Sequence, residues 1–147
     1  MKVVIGYGNE LRGDDGVGAA VARAVAAWQL PEVRVIVEQQ LLPELAAILA
    51  DAEFAIFVDA EPPGGVPQVG VQALNPHPQA SSLAHTGDAA SLLALAEAVF
   101  GHAPPAYLIT IPTTTFELGE QLSPLTQAGM RVALGWIRPL LERSGMS

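Results

Sequence analysis

Eleven residues near the start of the chain, Gly8 to Gly18, set two adjacent carboxylates, Asp14 and Asp15, in a turn with four glycines. The turn follows the apolar run Val3-Val4-Ile5 and precedes residues with helical spacing. Acid groups are thereby held at the carboxyl end of a strand, where open α/β sheets place their sites. That suits metal or acid chemistry better than a phosphate cradle. A third carboxylate, Asp59, ends the apolar run Phe54-Ala55-Ile56-Phe57-Val58, and His85 stands in a polar loop ahead of a helix. One imidazole and two carboxylates on separate strand-to-helix connections suit a first-row divalent ion such as zinc or nickel, and leave positions open to water or substrate.

Each of these residues also has a plainer reading. Acids at a helix start stabilise its exposed amides and positive dipole end, so Asp14 and Asp15 are candidate caps. Asp59 reads equally as a turn acid before Glu61-Pro62, and His85 as a surface or capping residue. His77 lies in a Pro-punctuated loop and reads as solvated, and His102 as a complement to a helix end. The Gly6-Tyr7-Gly8 opening invites a dinucleotide reading, but the third glycine of that fingerprint falls on Leu11, and no Gly-Lys-Ser/Thr phosphate loop is present.

The elements that must position these residues alternate along the chain. After the first strand and a helix through Val17, Val21, Val25 and Trp28 comes a β-branched run, Val33 to Val37. A helix follows from Leu41 to Leu49, with Pro43 in its first turn. The run Phe54 to Asp59 reads as a central strand buried on both faces. Val66 to Leu74 reads as a short edge strand, given Pro67. A polar loop spans Asn75 to Gly87; then come a helix from Ala89 to Phe100, a strand from Ala106 to Ile111 and a closing helix from Pro124 to Leu141. Such alternation predicts an α/β domain, a mainly parallel sheet with helices on both faces.

Composition narrows the function classes. The 147 residues predict one domain, 1–147. Half of them are hydrophobic and the net charge is −8, with seven basic residues scattered along the chain, so neither nucleic acid nor an anionic membrane surface is an expected partner. With no cysteine there is no thiol nucleophile and no thiolate metal site. No secretory leader and no apolar run of membrane-spanning length is read, so the expected location is the cytoplasm.

The pattern Gly8-Asn9-x-Leu11-x-x-Asp14-Asp15-Gly16-x-Gly18 resembles the signature of the hydrogenase maturation proteases, endopeptidases that trim the large subunit of [NiFe] hydrogenases. Ile56-Phe57-Val58-Asp59-Ala60 is similar to the family's second acidic motif, and His85 ahead of Ala89-Ala90-Ser91-Leu92-Leu93 to its histidine segment. Tyr107 to Pro112 with Phe116 to Pro124 resembles its late strand and loop. The likeness runs collinearly through nearly the whole chain.

The resemblance implies a three-layer, phosphorylase/hydrolase-like α/β/α sandwich around a twisted, mainly parallel five-stranded sheet. It implies nickel binding through Asp15, Asp59 and His85, which are thereby the expected catalytic and metal-ligating set, with Gly8, Asn9 and Asp14 in support. Asp14 would cap the helix or orient Asp15. The nickel is carried by the substrate, a [NiFe]-hydrogenase large-subunit precursor that loses a C-terminal extension after nickel insertion. The protein is expected to hold no tightly bound metal or other cofactor of its own and to act as a monomer. Two departures stand out: the family often has Glu where Asp15 stands, and the stretch after the second strand reads Glu38-Gln39-Gln40-Leu41-Leu42-Pro43-Glu44-Leu45 instead of a Gly-Gly-Thr form. The competing expectation is a non-catalytic α/β module that binds a nucleotide or holds nickel as an assembly chaperone.

Overall fold

A computed structural model describes residues 1–75 and 88–143. Five strands, β1 (Lys2–Tyr7), β2 (Val33–Glu38), β3 (Phe54–Ala60), β4 (Gly70–Ala73) and β5 (Ala106–Ile111), form one sheet in the order β2-β1-β3-β5-β4. All neighbours are parallel except β4, which runs antiparallel to β5 at the edge. Among the described residues four helices cover the sheet, α1 (Val17–Ala27), α2 (Leu45–Ala50), α3 (Ala89–Phe100) and α4 (Pro124–Glu142).

The period-two alternation of side chains divides the central strands between two cores. Val3, Ile5, Ala55 and Phe57 face α2 and α3, whereas Val4, Ile56 and Val58 face α1 and α4. Apolar contact on both faces explains why β1 and β3 read as continuous hydrophobic runs. The three-layer expectation from the sequence is met, with β3 central between β1 and β5 as its composition predicts.

Two boundaries differ from the sequence reading. Helix α2 begins at Leu45, not at Leu41, because proline disfavours the helical region for the residue before it. The carbonyls of Leu42 and Pro43 instead accept turn bonds from Leu45 and Ala46, while Leu41 still reaches the core. The edge strand covers Gly70 to Ala73 alone, which leaves Pro67, lacking an N–H for the ladder, outside it. At the other end of the molecule the buried Lys2 ammonium donates to the Leu141 carbonyl and closes the last turns of α4. Among the described residues no helix is long and apolar enough to cross a membrane.

Close approach of α1 to the sheet depends on glycine. A Cβ on Gly18 would stand 2.5 Å from the Val58 carbonyl oxygen and 2.6 Å from that of Tyr7, and one on Gly6 would collide with the Gly18 carbonyl. Backbone atoms cannot yield as a flexible side chain would. Gly18→Ala is therefore expected to lower stability by at least about 2 kcal/mol, read as a lowered midpoint in urea unfolding, through displacement of α1 from β1 and β3.

Candidate active site

The chain leaves β1 toward the α1 face, returns as β2, and crosses to β3 on the far side of β1 by way of α2. Neighbouring strands whose connections depart in different directions open a crevice at their carboxyl ends. Both acidic motifs lie there. The turn after β1 carries Asp15, and Asp59 is the penultimate residue of β3.

The turn is shaped residue by residue. Gly8 has φ +140°, and a Cβ there would collide with the Asp15 carbonyl. The Asn9 side chain accepts from Leu11 N–H at 2.9 Å, closing a local turn. The Asn9 backbone N–H donates to Asp15 Oδ2 at 2.8 Å. Gly8 thus allows a tight backbone approach, and the Asn9 N–H holds the Asp15 carboxylate in place.

Asp14 behaves differently from its expected role. Neither the short 3-10 turn Gly13–Gly16 nor α1 has a side-chain cap, and the Asp14 carboxylate points away from both into the β5–α4 loop. There it accepts from the backbone N–H groups of Thr114 at 2.7 Å, Thr115 at 3.3 Å and Ser123 at 2.6 Å, and from the Ser123 hydroxyl at 2.7 Å. Asp14 is fully buried. Burial pushes its carboxyl pKa up, but the bonds from Ser123 and Thr114 outweigh that and hold it below the ordinary value. Asp14 therefore caps neither the 3-10 turn nor α1. It fastens the acidic turn to the N-cap of α4, since Ser123 also accepts from Thr126 N–H. Thr114, Thr115 and Ser123 were invisible as partners in the sequence, being about a hundred residues away.

Asp59 is half-buried and lies in the same register row as Thr110 of β5. Its Oδ1 accepts from the Ala60 N–H at 2.7 Å. Burial pushes its carboxyl up to about 6, the Ala60 and Tyr7 hydrogen bonds restrain the rise, and the Asp15 and Glu61 charges add to it. Asp15 in the turn after β1 and Asp59 near the end of β3 stand at the same end of neighbouring parallel strands, close enough for the Asp15 charge to act on Asp59. Beside Asp59 opens a cavity of about 390 Å³, lined also by Tyr7, Gln72 and Asp88. Asp88 caps α3 by accepting from Ser91 N–H at 2.8 Å.

The third expected member, His85, lies outside the described residues, as does His77. Among the described residues no cluster of three or more His, Cys, Asp or Glu side chains is placed to hold a metal ion. His102 stands apart from the crevice, with Nε2 3.1 Å from the Ala52 carbonyl beyond α2. Tyr7 was not picked out by the sequence reading, although the alternation Val3, Ile5, Tyr7 places it on the face that Asp59 shares with Phe57.

No family model and no curated protein matches the chain. Solved structures do. The hydrogenase maturating endopeptidase HybD from E. coli superposes with a TM-score of 0.77 at 20% identity, over 98% of this chain and 93% of its own. The [NiFe] hydrogenase maturation protease HycI from Thermococcus kodakarensis KOD1 gives 0.73 at 22%, over 96% and 92%. HybD from Thermococcus kodakarensis gives 0.71 at 20%, over 95% and 97%. Over nearly its whole length, the chain has the fold of the hydrogenase maturation endopeptidases.

Proposed function

We propose that this protein is an endopeptidase that removes the C-terminal extension of a [NiFe]-hydrogenase large-subunit precursor once nickel has been inserted. The observation that supports it most is the convergence of Asp15 and Asp59 at the β1–β3 crevice, beside a cavity, in a fold shared with hydrogenase maturation endopeptidases. The nickel belongs to the substrate. Asp15, Asp59 and His85 are the residues proposed to meet it, so that the ion positions the scissile peptide against the protein. In the free protein burial pushes the Asp59 carboxyl up to about 6, so near neutrality it is still an ionised carboxylate available to the incoming ion.

The test is mass spectrometry of a nickel-loaded large-subunit precursor mixed with the protein. Loss of a C-terminal peptide is the expected result, and the nickel-free precursor should stay uncut. Cleavage of the nickel-free precursor at the same rate would remove nickel recognition. Complex formation without mass loss would select the chaperone reading instead, and a thermal shift with NAD, FAD or ATP the nucleotide module. Asp15→Ala is expected to slow processing by at least about 100-fold while the melting temperature stays close to that of the parent, because the carboxylate is part-exposed and its hydrogen bond among the described residues comes from a turn that Asp14 also holds.

A further inference from the structure

β4 is an edge strand, and nothing among the described residues pairs with its outer side. The Leu74 N–H donates to the Ala106 carbonyl, so Gly70, Gln72 and Leu74 direct their backbone groups at β5. By the antiparallel alternation, the N–H and C=O groups of Val71 and Ala73 point outward. Edge strands are commonly guarded by charged side chains, yet between Glu61 and Asp88 the chain has no Asp, Glu, Lys or Arg. The side chains along this edge are apolar as well. Val71 stands opposite the buried Ile109 and so on the α4 face, where it is 44% exposed. On that face a groove of about 450 Å³ opens between α4 and the residues before β4, lined by Val69, Pro112, Leu125, Val132 and Trp136. Val132 and Trp136 stay 45% and 43% exposed.

An open strand edge beside an apolar groove suits an extended peptide, whose backbone pairs with the edge while alternate side chains enter the groove. The groove also connects to the acids. Asp59, Thr110 and Gly70 form one row across β3, β5 and β4. Two strand spacings, about 10 Å, therefore separate Asp59 from the end of β4 where Val69 opens the groove. About three residues of extended chain span that distance. We infer that the outer edge of β4 and the groove along α4 hold the C-terminal extension of the precursor as an added strand while its bond is cut. The inference rests on the endopeptidase reading above. A second copy of the chain could meet the same edge, but two copies at net charge −8 repel each other, whereas the extension reaches the groove directly from the site of the cut.

Val132→Glu places a charge in the groove, and Ala73→Pro removes an outward N–H while the bonds to β5 remain. With nickel-loaded precursor as the probe, each should raise KM about 10-fold with kcat unchanged, because these contacts lie away from the reacting bond. Melting temperatures should stay within about 2 °C of the parent, since both positions are exposed. In the wild-type protein a synthetic peptide of the extension should slow amide hydrogen exchange at Val71 and Ala73, a readout that depends neither on turnover nor on the folding of a variant. Unchanged KM in both variants, exchange unmoved by the peptide, or protection of those two amides already in the free protein would each overturn the inference. So would a dimer in sedimentation equilibrium that Ala73→Pro abolishes, which selects the second copy. A wild-type protein that cuts no precursor overturns the endopeptidase reading itself, which separates the two failures.

Discussion

Asp59→Asn should yield a protein that is more stable at neutral pH and inactive. Its carboxyl is pushed up to about 6 from an ordinary 3.8, chiefly by burial. The native state therefore binds a proton that the unfolded chain has already released. The sign follows: this group favours the fold most below pH 3.8, and its contribution declines as pH rises through about 6. An amide avoids the cost of desolvating a charge, while its oxygen still accepts from the Ala60 N–H. The gain at pH 7 is expected to be about 2 kcal/mol, or about 5 °C in the melting temperature, fading as the pH is lowered toward 4. Processing should fall by at least about 100-fold in the same variant. Calorimetry from pH 4 to pH 8 beside the cleavage assay checks both halves. A variant less stable at pH 7 would show that Asp59 is a structural anchor, and undiminished cleavage would remove it from the chemistry. A residue whose removal stabilises the fold and abolishes activity is the mark of a group kept for function.

Asp14→Ala should do the opposite to stability. Four donors converge on this one buried carboxylate, three of them backbone N–H groups of the β5–α4 loop. Removing it leaves those donors without an acceptor, and each buried orphan costs about 1–3 kcal/mol. The expected loss at pH 7 is about 4 kcal/mol, less than the simple sum because the loop can turn some donors to water. Here the native pKa is depressed below 3.8, so the contribution is complete above that value and is lost as pH falls through the native pKa. The stability gap between parent and Asp14→Ala should accordingly narrow below about pH 4, as the parent's own carboxyl protonates. Urea unfolding at pH 7 and pH 3 measures it. Asp14→Ala with parental stability would undo the fastening role. Adjacent acids thus separate by their pH signatures: Asp14 is an anchor and Asp59, across the crevice, a strained ionisable group.

Much of the architecture was readable before any coordinates. Val3 to Ile5, Val33 to Val37 and Phe54 to Val58 are too short and too β-branched or apolar to be other than strands, and each lies within a strand of the sheet. The helices beginning at Val17, Ala89 and Pro124 follow from 3.6-residue spacing of their apolar positions, helped by the Asp88 and Ser123 caps. Helix α2 was overextended because apolar spacing continues through Leu41 and Leu42, while the backbone limit set by Pro43 acts on the residue before it.

Sequence by itself determined that acids end or follow two strands of an α/β sheet, and the strand-end rule placed them on one edge. Tertiary structure decided which partners each acid has. A dipeptide of two aspartates is chemically symmetric in the sequence, and its asymmetry arises only when the β5–α4 loop arrives with three N–H groups and takes Asp14. Tyr7 likewise comes to line one cavity with Asp59, a residue about fifty positions on, by the parallel register of β1 with β3. Local pattern specifies which face a side chain occupies. Hydrogen-bond partners and burial, which set pKa, come from segments distant in the chain, and only the folded backbone brings them into contact.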